Sequence, residues 1–151
     1  MSRGYYGIGV YHPKREVNVG TIWRHASLYG ASFVFTVGSR YAQQASDTTK
    51  APRHMPLFHF VDLDDLHEHL PWSAPLVGVE LDDRAVPLRD FTHPERAVYL
   101  LGAEDHGLPD DVLTACDYLT RIVTPAAWSM NVAAAATLVM DDRFHKDGVE
   151  A

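Results

Sequence analysis

The chain has 151 residues, 46% of them apolar and one of them cysteine, which makes about one domain with enough apolar material for a real core and rules out an internal disulfide framework. No apolar run approaches the roughly 18 residues that would span a bilayer, and MSRGYYGIGVYHP lacks the charged-then-apolar pattern of a secretory leader, so a cytoplasmic location is expected. The net charge of −7 taken as a whole argues against a nucleic-acid partner, but its distribution does not. Residues 1–54 carry seven Lys/Arg against two acids, net +5, and the remainder is net −12. Binding follows the local field, so a basic segment on an acidic body can still leave a footprint for RNA.

Runs rich in β-branched and aromatic residues recur at Tyr5 to Tyr11, Ser32 to Val37, Leu57 to Val61, Leu76 to Leu81, Ala97 to Leu101 and Leu119 to Val123. Helical patterns lie between them at Val19 to Tyr29, Leu63 to Leu70, Asp110 to Cys116 and Met130 to His145. Alternation of this kind predicts a single α/β domain over residues 1–151, with a mostly parallel sheet flanked by helices. In the first helix Asn18 is the expected N-cap and Gly30 the residue that ends it. Ile22, Ala26 and Tyr29 share one face, whereas Arg24 lies about 200° from Ile22 and points away from that stripe. Periodicity alone makes Arg24 an ordinary solvated arginine. The last pattern, SMNVAAAATLVMDDR, offers two caps, Ser129 and Asn131, before four consecutive alanines. Those alanines suit either a tightly packed core helix or one whose start lies against a ligand.

The segment LLGAEDHGLP, Leu100 to Pro109, places two glycines five residues apart with Glu104 and Asp105 between them. A phosphate-cradling loop uses backbone N–H groups with Lys and Ser/Thr, and excludes carboxylates from beside the anion. The residues alone leave open what a glycine loop with two acids binds.

Taken in order, NVGTIWRHASLYGA (Asn18 to Ala31), LLGAEDHGLP and IVTPAAWSMNVAAAATLVMDD (Ile122 to Asp142) resemble the three motifs of the SpoU/TrmH-type RNA 2′-O-methyltransferases of the SPOUT superfamily. The resemblance implies a sheet whose C-terminal segment forms a deep trefoil knot, a fold that general topology rules would not suggest. It implies S-adenosylmethionine (SAM) as cofactor, whose sulfonium tolerates nearby acids. It places Asn18, Arg24, Glu104, Ser129 and Asn131 among the catalytic polar residues. Leu100, Leu101, Gly102, Gly107, Ile122 and Met130 fall where the family contacts the cofactor. Two departures are visible: Lys14 to Val17 replace a proline-rich spacing, which touches the substrate loop, and Ala133 and Ala134 stand near a frequent serine, which spares the principal polar residues.

The implied reaction moves a methyl group to a ribose 2′-hydroxyl of RNA, with tRNA expected and rRNA the alternative. A neutral hydroxyl is a poor nucleophile, and the resemblance gives its activation to Arg24. Because guanidinium stays protonated, action through an RNA phosphate is favoured over action as a base. The family's site is completed across a homodimer, and Lys14, Arg15, Lys50, Arg53 and His54 are candidate RNA contacts. No metal is expected, since His67 and His69 lie about 200° apart on a helix and no Cys/His cluster has ligand spacing. A non-catalytic RNA-binding or SAM-sensing dimer is the competing reading. A flavodoxin-like nucleotide domain is disfavoured because no phosphate loop follows the first strand.

Overall fold

The computed structural model describes residues 4–39, 55–103, 106–126 and 128–146. Seven strands form one sheet: β1 (Tyr5–Tyr11), β2 (Phe33–Val37), β3 (Leu57–Phe60), β4 (Leu76–Val79), β5 (Val86–Pro87), β6 (Arg96–Gly102) and β7 (Tyr118–Arg121). Their order is β3-β2-β1-β6-β4-β7-β5 and every pairing is parallel. The helices are α1 (Glu16–Leu28), α2 (Leu63–Glu68), α3 (Asp110–Ala115) and α4 (Val132–Lys146), with short 3₁₀ turns at Pro71–Ser73 and Leu88–Asp90. The expected α/β domain with a parallel sheet is therefore present, and all six expected strands are found with shifts of no more than two residues at either end.

Side-chain alternation along β1 and β6 sends successive residues to opposite faces, as a pleated strand requires. Tyr6, Ile8 and Val10 join Tyr99 and Leu101 in one core, which α1 closes with Ile22, Trp23 and Ala26 and α4 with Val132, Ala136, Val139 and Met140. Val98 and Leu100 join Phe33 and Phe35 in the other, closed by Leu66 of α2 and by Val112 and Leu113 of α3. Burial on both faces explains why the strand sequences read as continuous apolar runs.

One expectation is corrected, one choice is settled and one strand is added. Helix α1 begins at Glu16 with Arg15 in the capping position, so Asn18 is not its N-cap but a buried residue of the first turn. The Glu16 carboxylate, favourable at a positive helix start, extends the helix backwards. At the other end Gly30, with φ +73°, ends the helix as expected. Helix α4 begins at Val132 and its cap is Asn131, whose Oδ1 accepts the N–H groups of Ala133 (2.8 Å) and Ala134 (3.2 Å); Ser129 is left free for another role. Strand β5, two residues long and ending in proline, gives no sequence signal and is tolerated because it lies at the sheet edge.

A buried polar network fixes α4 beneath the sheet. Arg143, 2% exposed, donates to the carbonyls of Pro94 and Glu95, both at 2.7 Å, and to the Tyr99 hydroxyl at 3.0 Å. His93 bridges Tyr99 and Asp142, each at 2.7 Å. A buried guanidinium is tolerated only when its donors are met, and these donors tie the last helix to the segment entering β6.

Candidate active site

Strand β6 ends at Gly102, and the chain turns at once. Ala103 and Gly107 form an isolated antiparallel bridge, with the Gly107 N–H donating to the Ala103 carbonyl at 3.0 Å. The closure is tight enough that a Cβ on Gly102 would sit 2.3 Å from the Gly107 carbonyl carbon and 2.5 Å from the Leu108 nitrogen. Gly107 has φ +62°, and a Cβ there would fall 2.3 Å from Glu80 Oε2. Both glycines are therefore required by the backbone, one for close approach and one for a left-handed turn.

Glu80 follows β4 and holds this loop in place. Its Oε2 accepts the Leu108 N–H at 2.8 Å, and its Oε1 accepts the N–H of neighbouring Leu81 at 3.0 Å. Charge-assisted bonds of this sort are among the stronger ones in a protein. Sequence reasoning passed over Glu80 because it lay inside LVGVEL, taken as strand. The signal was a lone carboxylate at the carboxyl end of an apolar run, where open α/β sheets place their ligand groups.

A third segment, residues 122–131, follows β7 and leads to α4. Asn131 does two things there: its Oδ1 caps α4, and its Nδ2 donates to Asn18 Oδ1 at 3.1 Å. Asn18 is buried on α1, so this pair joins the starts of α1 and α4. Further along, His25 Nδ1 lies 2.7 Å from Thr137 Oγ1, and the Tyr29 hydroxyl donates to Asp141 at 3.0 Å. Buried Ala133 and Ala136 let the two helices approach closely.

Between the three segments opens a cavity of about 260 Å³. Val79, Glu80 and Leu81 line it from the β4 end, Leu101 to Ala103 with His106 and Gly107 from the β6 loop, and Ile122, Thr124 and Trp128 to Met130 from the third segment. Val132 and Ala135 close it from α4. Its described lining contains no Lys or Arg and one carboxylate, that of Glu80. Such a lining suits a flat apolar group joined to a cationic one.

The model of the SpoU rRNA methylase family matches residues 7–141. The chain belongs to this family. Among solved structures, the AdoMet-bound rRNA methyltransferase of Sinorhizobium meliloti is similar at TM-score 0.81 and 23% identity, over 94% of this chain and 56% of that one. The SpoU methyltransferase AviRb of Streptomyces viridochromogenes, in complex with AdoMet, is similar at 0.76 and 24%, over 93% and 57%. This chain thus spans little more than half of either. A structure concerned with 2-OH methylation of C/U34 on tRNA is similar at 0.80 and 21%, over 95% of this chain and 97% of that one. No curated protein matches the sequence.

The SpoU motif residues distribute clearly. Leu101, Gly102, Gly107, Ile122, Ser129 and Met130 line the cavity, and Asn18 and Asn131 are bonded to each other beside it. The Leu100 side chain is fully buried in the opposite core, so only its backbone faces the loop. Arg24 is exposed and does not line the cavity of its own chain. Lys14 and Arg15 are exposed just before α1. Glu104, Lys50, Arg53 and His54 lie outside the described residues. The AdoMet carried by the relatives matches the lining: Leu101, Ile122, Met130 and Val132 are apolar surfaces for an adenine, and Glu80 is a carboxylate for a cation. Among the described residues, Asp65, Glu68 and His69 bring three ligand atoms within 4.8 Å of one another. They lie on and just after α2, where His69 Nδ1 is 2.7 Å from the Asp65 carbonyl, and none of the three lines the cavity.

Proposed function

We propose that this SpoU-family protein transfers a methyl group from S-adenosylmethionine to a ribose 2′-hydroxyl of RNA, with tRNA as substrate. One observation carries the reading: the second and third motif segments line one cavity whose described lining holds no Lys or Arg, and the Asn18–Asn131 pair ties it to the first motif, the helix bearing Arg24. The likeness to the structure concerned with C/U34 of tRNA, whose chain is matched over 97% of its length, supports tRNA and the 2′-hydroxyl. rRNA is the second reading, favoured by the Sinorhizobium relative.

When bound, SAM supplies an electrophilic methyl group. The chain's own residues hold the cofactor through the backbone of the Gly102 to Gly107 loop, with Glu80 fixing that loop. Met130 and Ile122 cover its apolar part. Ser129, Asn131 and Asn18 orient the RNA sugar and backbone, and Glu104 completes the polar set. Arg24 holds an RNA phosphate against the 2′-hydroxyl, and an oxygen of that phosphate accepts the hydroxyl proton as the oxygen–methyl bond forms and the sulfur–methyl bond breaks.

Arg24 reaches a cavity by dimerisation. Val17, Thr21, Arg24 and Leu28 recur at helical spacing along one outward stripe of α1, and Val17 and Leu28 are 61% and 76% exposed. Two large apolar residues flanking a functional arginine on one exposed face suit a self-complementary two-fold contact that delivers Arg24 to the partner's cavity. The reading includes the trefoil knot that the motif resemblance implies for the C-terminal segment. Among the described residues no helix is long and apolar enough to cross a membrane.

The test is incubation with labelled SAM and either total tRNA or rRNA, followed by mapping of the modified nucleotide by mass spectrometry. A 2′-O-methylated tRNA nucleotide is expected. Transfer only to a base, or to neither RNA, would overturn the reading.

A further inference from the structure

We infer that the Trp128 indole is the platform on which a nucleobase of the substrate RNA stacks during methyl transfer. The inference rests on the RNA 2′-hydroxyl reading above and adds a residue that none of the motif positions supplies.

Trp128 lines the mouth of the cavity and is 77% exposed, the most exposed of the large hydrophobic side chains described. The other two tryptophans behave differently. Trp23 is buried and donates through Nε1 to the Met55 carbonyl at 2.9 Å, and Trp72 sits in the turn before β4, at the amino ends of the strands and so at the opposite end of the sheet from the cavity. An exposed indole is costly surface to leave in water, and this one stands where a substrate must arrive.

Geometry then limits what can cover it. The attacked hydroxyl must lie in line with a methyl group held in the cavity, so the target ribose sits at the cavity mouth. The base is joined to the carbon next to the one bearing that hydroxyl, and it or its neighbour must face the rim. The rim offers two exposed π-faces, Trp128 and His106. Single-stranded bases pulled from their stack are received on aromatic side chains in this way.

Charge supports the same occupant. The protein is net −7, yet no Asp, Glu, Lys or Arg occurs between Arg121 and Asp141. Val123 to Pro125, Trp128 and Ser129, exposed residues of that run, give the mouth one side without charged groups, where a nucleotide is received without repelling its flanking phosphates.

The experiment uses the full-length protein carrying Trp72→Phe, compared with the Trp72→Phe/Trp128→Phe variant so that the difference reports Trp128 alone. The expected signal is a solvent-exposed emission in the free protein, little change on adding SAM, and strong quenching on adding total tRNA. In methylation assays Trp128→Ala should raise the KM for tRNA by about tenfold to a hundredfold, the range of one lost base stack, with the SAM affinity and kcat nearly unchanged. Trp128→Phe should recover most of the loss.

A blue-shifted emission in the free protein would show that the partner subunit covers the indole, and quenching by SAM alone would make Trp128 a cofactor contact. Either result overturns the inference, as does an unchanged KM in Trp128→Ala while the wild type methylates RNA. Failure of the underlying reading looks different: the wild type then transfers no methyl to any RNA, and tRNA leaves the emission untouched.

Discussion

Gly102→Ala probes the loop at its most constrained point. The new Cβ would lie 2.3 Å from the Gly107 carbonyl carbon, 2.5 Å from its Cα and 2.5 Å from the Leu108 nitrogen, where contacts below 3.0 Å do not occur. All three neighbours are backbone, so no side chain can turn aside, and the Ala103 to Leu108 segment must shift bodily. Forced overpacking costs about 1–3 kcal/mol. The shift also draws the Leu108 N–H from the Glu80 carboxylate, at roughly 1.5–3 kcal/mol for a bond to a charged group. A loss near 3–5 kcal/mol is expected in denaturant unfolding of the SAM-free protein, together with loss of SAM binding in calorimetry. Gly107→Ala differs, because its clash is with the movable end of Glu80. The cost there is the left-handed φ, about 1–2 kcal/mol, plus whatever part of the clamp is broken. A folded Gly102→Ala protein that binds SAM as the wild type does would remove this loop from the cofactor site.

Arg24→Ala should keep the fold, within about 0.5 kcal/mol for an exposed site, and the SAM affinity, while single-turnover methylation falls by roughly 10² to 10⁴. Arg24→Lys should rescue poorly because an ammonium lacks the planar donor fork, and near-normal turnover in Arg24→Ala would return this residue to the solvated arginine that periodicity suggests. Glu80→Gln presents an NH₂ to one of two backbone N–H groups and can accept from the other alone, so the Leu108 amide should exchange faster with solvent and SAM should bind more weakly. Unchanged exchange at Leu108 would contradict the clamp. Cys116, whose thiol is pushed up to about 11 by burial and by neighbouring Asp117, stays protonated at pH 8. Its labelling by a disulfide reagent should therefore be much slower in the native protein than after unfolding, and equal rates would refute the burial argument.

Much of this architecture is legible in the chain because apolar runs buried on both faces announce parallel strands, and the two loop glycines announce a close backbone approach. What stays hidden is pairing across distance. Asn18 reads locally as a cap, and only the fold shows its side chain bonded to Asn131, 113 residues away. The choice between Ser129 and Asn131 as cap likewise depends on how α4 meets α1. Strand β5 has too few residues to form a pattern, and Glu80 lies one residue past β4, inside a run whose local propensity is extended. In each case the deciding contact comes from an element remote in sequence.

The distribution of charge over the two faces bears on the conflict between an acidic protein and the RNA substrate proposed for it. Helix α2 and the residue before it carry Asp62, Asp64, Asp65 and Glu68, and α3 carries Asp110 and Asp111, with no Lys or Arg in either helix. These helices cover one face of the sheet. On the other face, Lys14 and Arg15 precede α1 and Arg24 stands on its exposed stripe, next to an uncharged third segment. The second face has acids too, Glu16 on α1 and Asp141 and Asp142 on α4, but its basic residues lie at the start and along the exposed stripe of α1, on the side of Asn18, Asn131 and the start of α4. Under the proposed function the excess of acid is directional: it leaves the α1 side as the one by which a polyanion reaches the cavity, and association with RNA should weaken with salt even though the molecule as a whole is negative.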